Sequence, residues 1–222
     1  MDKTAIRDAA TVLVIRDAAT VPRVLMGQRG AGAAFMPNKV VFPGGAVDPG
    51  DADVTLAAPL DPVCASRIAQ DGANPAALAT AAIRELWEET GLMLGAPGEW
   101  PDPPAPDWAD FAARGMCPSA TGLRYVFRAV TPKGRPRRFD ARFFLVEAGR
   151  IAGDPDDFSA ACEELSHLQW IPLAEARRFD LPFITEVVLA EVAALVEAGV
   201  GQPESVPFFD NTGDRPAFRR IA

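Results

Sequence analysis

The 222-residue sequence predicts a single α/β domain. Short segments rich in Val, Ile, Leu and Phe recur between residues 10 and 172, which suits strands. Two longer segments, near residues 75–90 and 182–197, place apolar side chains at helical spacing. The length allows one well-buried core with insertions and is short for two.

In chain order, Ala10 to Ile15 and Arg23 to Gly27 read as strands, bounded by charged residues or glycine. Val40 to Phe42 reads as a third, stopped by Pro43-Gly44-Gly45, where proline fixes φ and glycine opens backbone angles closed to other residues. Residues 52–74 have mixed composition and read as an insertion without an element of their own. The best-signalled helix runs from Pro75 to Thr90. Asn74 can cap it, Pro75 fits its first turn, Gly91 fits the position past its end, and Leu78, Ile83, Leu86 and Trp87 supply a core-facing side. The proline-dense run 97–106 predicts a rigid surface connection.

Leu123 to Val130 and Arg142 to Val146 predict a pair of strands joined by a basic hairpin loop. Gln169 to Pro172 is a further short strand. Pro182 to Glu197 carries Phe183, Ile184, Val187, Val188, Val192, Leu195 and Val196 at helical spacing and should pack on the sheet. The tail after Gly201 lacks a period and is expected to be coil.

Composition removes several function classes. A net charge of −8 and a pI near 4.7 disfavour a general nucleic-acid binder, which needs a basic surface. No segment supplies the roughly 18 uninterrupted apolar residues of a membrane span, and Met1 to Ala10 lacks the apolar core of an export signal, so a cytoplasmic address is expected. Cys64, Cys117 and Cys162 are far apart and form neither a zinc nor a redox spacing. With His167 as the one histidine, chemistry should rest on carboxylates.

Those carboxylates are Glu85, Glu88 and Glu89. Positions i, i+3 and i+4 fall within about 100° of arc on one helix face. Like charges so placed oppose the helix, and a divalent cation reverses that opposition. Oxygen ligands suit Mg²⁺ or Mn²⁺, which also bind phosphates. Glutamates on a helix are more often solvated surface charge; here they stand behind Phe-Pro-Gly-Gly and an acidic residue six positions past Gly45.

In that company the segment Arg84-Glu85-Leu86-Trp87-Glu88-Glu89-Thr90-Gly91-Leu92 resembles the second half of the Nudix box at every defined position. The first half departs twice. Asp51 stands where Glu is usual, and positions 52 to 83 fill a gap that is usually seven residues. The resemblance implies an α/β/α sandwich with a mixed sheet and an insertion before the catalytic helix. It implies a cation held by Glu85, Glu88, Glu89 and the Gly44 carbonyl, with Arg84 holding the carboxylates in place. It also implies one more carboxylate from a late loop, Glu163 or, preferred from its spacing to Trp170, Glu164; Glu85 is an alternative base. The activity implied is hydrolysis of a diphosphate linkage in a small nucleotide-like substrate, and a homodimer is compatible.

Two phrases, FMP-x3-VFPGG and RRFD-x-RFF, are similar to the long-insertion branch that contains peroxisomal acyl-coenzyme A diphosphatases, which makes coenzyme A or acyl-coenzyme A the leading substrate. The separate coenzyme A signature is absent, since Ala34 and Asn38 stand where its Arg and Gly would. The alternatives are an ADP-ribose or NADH pyrophosphatase and a non-catalytic nucleotide-binding regulator. An isopentenyl diphosphate isomerase would call for Cys and His at the active centre. Arg29, Arg137, Arg138 and Arg142 are candidate phosphate contacts, the guanidinium being matched to phosphate oxygens, and Arg138 is expected to bind substrate. Trp87 and Trp170 are expected in the core.

Overall fold

The computed structural model describes residues 5–33 and 35–222; Ala34, one of the two positions that depart from the coenzyme A signature, lies outside them. The early hydrophobic segment forms a longer strand than expected, β1 (Ile6–Arg16), because its polar start still finds a parallel partner in the sheet. It is followed by β2 (Arg23–Arg29), β3 (Val40–Val41) and β4 (Gly44–Ala46). The fourth was not expected: the Pro43-Gly44-Gly45 stop is itself paired with β1, Ala9 opposite Ala46 and Ala10 opposite Gly45. Past Ile15 and Val24 the ladder between β1 and β2 ends, and β4 takes the vacated edge of β1.

The insertion corrects the loop expectation. It folds into α1 (Pro62–Ala69), capped by Asp61, whose side chain accepts from Val63 N. Cys64 and Ile68 turn into the core, and buried Arg67 donates to the carbonyls of Pro203 and Glu204. Helix α2 (Pro75–Thr90) has the predicted bounds. Asn74 accepts from Ala76 N and Ala77 N at 3.0 and 3.2 Å, and Gly91 takes the left-handed conformation, φ 74°, that a side chain disfavours.

The proline-dense run 97–106 lies at the surface, as expected. It leads out of β5 (Gly95–Pro97) toward the short α3 (Ala109–Ala113) and β6 (Met116–Pro118), and β5 and β6 pair as a separate two-stranded sheet. Trp108 and Phe111 are buried there. The expected hairpin forms as β7 (Arg124–Val130) and β8 (Arg138–Glu147), with a shorter loop than predicted because Arg138 to Ala141 continue the ladder to β1 and β7. Next come β9 (Leu165–Pro172) and α4 (Phe183–Glu197). Phe183, expected on the buried side of that helix, is exposed, while Val188, Val192 and Val196 are buried.

The coil expected at the C-terminus is also corrected. Residues there form β10 (Val206–Asp210), parallel to β7, and an edge strand β11 (Ala217–Ile221). Neither shows a clean alternation, and pairing with an existing strand overrides weak local preference.

The large sheet runs β11-β10-β7-β8-β1-β2-β3, with β4 on β1 and β9 on β2. Its β1–β8 and β7–β10 pairs are parallel and the others antiparallel, so the sheet is mixed. Alternate residues of β1 face opposite layers: Ala10, Val12 and Val14 meet α1 and α2, and Leu13 and Ile15 meet α4. The result is an α/β/α sandwich, and no helix among the described residues is long and apolar enough to cross a membrane.

Candidate active site

The second half of α2, which carries the predicted carboxylates, packs against β4. Gly45 lies over α2 so closely that a methyl group on it would overlap the Glu85 carboxylate. Gly44 has its backbone against Ala10 and Thr11, and its N–H donates to Glu89 Oε2 at 2.7 Å. A side chain at Gly44 would strike the β1 backbone and one at Gly45 would displace the Glu85 carboxylate, a reason the sequence does not display.

Arg84 is the organising cation. Its Nε and Nη2 donate to the two oxygens of Asp51 at 2.9 and 3.1 Å, and Nη2 also reaches the Ala46 carbonyl at 3.0 Å. Its Nη1 donates to Glu85 Oε1 at 2.9 Å and Glu88 Oε2 at 3.0 Å. Asp51 is 2% exposed and accepts also from Asp48 N, so the shorter acid in place of glutamate keeps a two-pronged contact. Burial works against the Arg84 charge, but the bond to Asp51 and the nearby Glu85 and Glu88 outweigh it, and its pKa lies above the usual guanidinium range.

The glutamates carry the opposite burden. Burial pushes Glu85 up to about 7; Arg84 pulls it down and Glu88 adds to the rise. Burial also raises Glu88, against the pull of Arg84. Glu89, 2% exposed, is raised well above the carboxylate range by burial, despite its bond from Gly44. One oxygen of Glu89, Oε1, is buried with no hydrogen-bond partner among the described residues. A buried acceptor without a donor is costly and wants a cation or a proton.

The donor set fits a hard divalent cation: three carboxylates on adjacent turns, one with an unpaired buried oxygen, beside a Gly44–Gly45 backbone kept free of side chains. Among the described residues no three ligating side chains already converge on one point, because Arg84 Nη1 occupies the space between Glu85 and Glu88.

Glu164, one residue before β9, is paired with Arg29 at the end of β2, Nη2 to Oε1 at 2.7 Å. It is 53% exposed and close enough to Glu85 and Glu89 for its charge to raise both. This geometry gives Arg29 a carboxylate partner and leaves its Nε buried without one among the described residues. The neighbouring Cys162 N–H donates to the Glu88 carbonyl at 2.8 Å, which ties the late segment to α2.

Of the remaining arginines, Arg138 and Arg142 already have protein partners. Arg138 is buried and donates to the Thr131 and Asn211 carbonyls, anchoring the β7–β8 loop to the C-terminal segment. Arg142 is buried against Asp8 and Asp140. Both are engaged by protein partners within the sheet layer. Arg137 is exposed on the β7–β8 loop. Sequence reasoning missed Asp107, Asp110 and Arg114, which come close to α2 only through the fold of residues 98–115.

No family model matches the chain. Over 178 residues, 74% of this chain, it is 29% identical to a Caenorhabditis elegans protein designated nudix hydrolase 7, and it spans only 51% of that relative's length. Among solved structures, a NUDIX hydrolase from Alicyclobacillus acidocaldarius is 33% identical with a TM-score of 0.65, covering 89% of this chain and 95% of that one. An Ap4A hydrolase of Caenorhabditis elegans, in a binary complex, shares the fold at 16% identity and a TM-score of 0.50, covering 87% of this chain and 99% of that one. With 33% identity to the Alicyclobacillus acidocaldarius protein over nearly the whole of both chains, the chain belongs to the Nudix hydrolase superfamily.

Proposed function

We propose that the chain is a diphosphohydrolase that cleaves a diphosphate linkage in a nucleoside diphosphate derivative, with Mg²⁺ or Mn²⁺ held by Glu85, Glu88, Glu89 and the Gly44 carbonyl. The observation that carries this reading is the excess of buried negative charge around Arg84, with Glu89 Oε1 unpaired. A cation bound there offsets the charge of the diphosphate and lowers the pKa of water. Arg84 fixes the Glu85 and Glu88 side chains from below. Glu164, oriented by Arg29, accepts the proton as the water oxygen attacks phosphorus and the bond to the bridging oxygen breaks.

Coenzyme A or acyl-coenzyme A is the leading substrate, on the FMP-x3-VFPGG and RRFD-x-RFF phrases. The test is product release with Mg²⁺ or Mn²⁺ across coenzyme A, acyl-coenzyme A, ADP-ribose, NADH and nucleoside triphosphates. Preferred cleavage of the coenzyme A compounds supports the assignment. Preference for ADP-ribose or NADH removes coenzyme A while keeping the reaction, and inactivity on the whole panel with either ion removes the reaction.

A further inference from the structure

A cavity of about 500 Å³ opens directly beside Glu88, within the size range of small-molecule sites. One wall is the segment holding Asp107, Asp110 and Arg114; the other holds Ser159 and Cys162. Both walls are built before any ligand arrives. The first stands on an aromatic stack: Trp100 against Trp108 at 5.7 Å, Trp108 against Phe111 at 5.3 Å, Phe111 against Trp87 of α2 at 5.7 Å. Trp100 Nε1 donates to the Met116 carbonyl, which closes that segment. The second wall is pinned through Cys162 N–H to the Glu88 carbonyl and Ser159 N–H to Asp157. Arg114 lies over the Trp87 ring at 5.0 Å, which fixes its direction without neutralising it.

The charges inside select what can enter. With Glu88 engaged at the diphosphate, Asp107 and Asp110 still outnumber Arg114. Both aspartates are exposed and have no ion-pair partner among the described residues. Ionised carboxylates only accept hydrogen bonds, so they favour O–H and N–H donors and repel a further phosphate. We infer that this cavity receives the uncharged, donor-bearing substituent on one phosphorus of the substrate, and that Asp107 and Asp110 are specificity determinants that hold its O–H and N–H groups and turn away a terminal phosphate. The inference rests on the diphosphohydrolase reading. Two substituents share this chemistry, a pantetheine-type arm and a terminal ribosyl group.

The test compares wild type, Asp107→Asn/Asp110→Asn and, as a control for surface charge on the same segment, Asp102→Asn. Coenzyme A, ADP-ribose and ATP are assayed for kcat and KM with Mg²⁺, and for Kd by calorimetry with Ca²⁺ in its place. The double substitution should raise KM and Kd about 5- to 10-fold for the ligand whose arm fills the cavity, as loss of charged acceptors requires, and lower those for ATP several-fold, with Asp102→Asn changing neither. An effect confined to coenzyme A identifies the pantetheine-type arm, and one confined to ADP-ribose the ribosyl group. Values for all three ligands within two-fold of wild type, or all shifted in the same direction, overturn the inference. Absence of turnover in wild type would count against the hydrolase reading alone, because the calorimetric comparison still decides the cavity.

Discussion

Two ionic networks, one on the sheet and one on α2, are built differently. On the sheet, Arg128 and Arg142 are met by Asp71, Asp140 and Asp8, and two of these three carboxylates are half exposed. On the second half of α2, the single Arg84 pairs with Asp51, Glu85 and Glu88, while the adjacent Glu89 accepts from Gly44 N–H, with Asp51 and Glu89 at 2% exposure. The first network is close to charge balance and joins strands to the α1–α2 turn. The second holds more negative charge than its cation can answer, and burial keeps water from answering the rest. Surplus buried charge at one point marks chemistry, whereas matched charge marks architecture.

That contrast breaks most sharply under substitution of the surplus. Glu88→Gln should lower kcat by roughly 10²- to 10⁴-fold with thermal unfolding little changed, as expected for loss of a group in the reacting centre; steady-state kinetics beside a melting curve checks both halves. A kcat within a few-fold of wild type would place the chemistry elsewhere. Glu164→Ala should cost on the order of 10²-fold in kcat and less in KM if it takes the proton. Turnover within a few-fold of wild type removes it from the mechanism.

Removing the two central arginines separates the networks. Arg84→Ala leaves buried Asp51 uncompensated and should destabilise the metal-free protein by about 3–5 kcal/mol, with activity lost as well. Arg142→Ala should lower stability by chemical denaturation while each folded molecule keeps its kcat. A large loss of kcat in folded Arg142→Ala would unite the two networks.

The pH response sharpens the same point with a smaller effect. Glu85 is raised from 4.5 to about 7, chiefly by burial. A raised carboxylate binds its proton more tightly in the native state, so its contribution is fully present below pH 4.5 and is lost as pH climbs through 7. Metal-free wild type should therefore match Glu85→Gln at pH 4 and fall below it at pH 8 by on the order of 1–3 kcal/mol. Mg²⁺ should close that gap at pH 8, and equal melting temperatures of the two proteins at both pH values without metal would contradict the burial account. Smallest of all in its effect on activity, Arg138→Ala should leave KM unchanged while costing about 1–3 kcal/mol of stability through the lost bonds to two carbonyls, the reverse of what its basic loop suggests in sequence.

Much of the site could be read directly from the chain. Helix α2 carries its own start and stop in Asn74, Pro75 and Gly91, and the spacing of Glu85, Glu88 and Glu89 places them on one face by geometry alone. The Asp61-Pro62 cap of α1 was equally local and could have been recognised. Strands β10 and β11 had no such signal, since Val206–Asp210 becomes a strand by lying beside β7.

The sequence by itself determined the carboxylate helix and the core faces of α2, because caps and a 3.6-residue period act within one segment. Only the tertiary structure decided which arginine meets which acid, which carboxylate a side chain at Gly45 would displace, and how residues 98–115 come to wall a cavity beside Glu88. Charge pairs and close approaches depend on distance in space between segments far apart in the chain, and no local period encodes that distance.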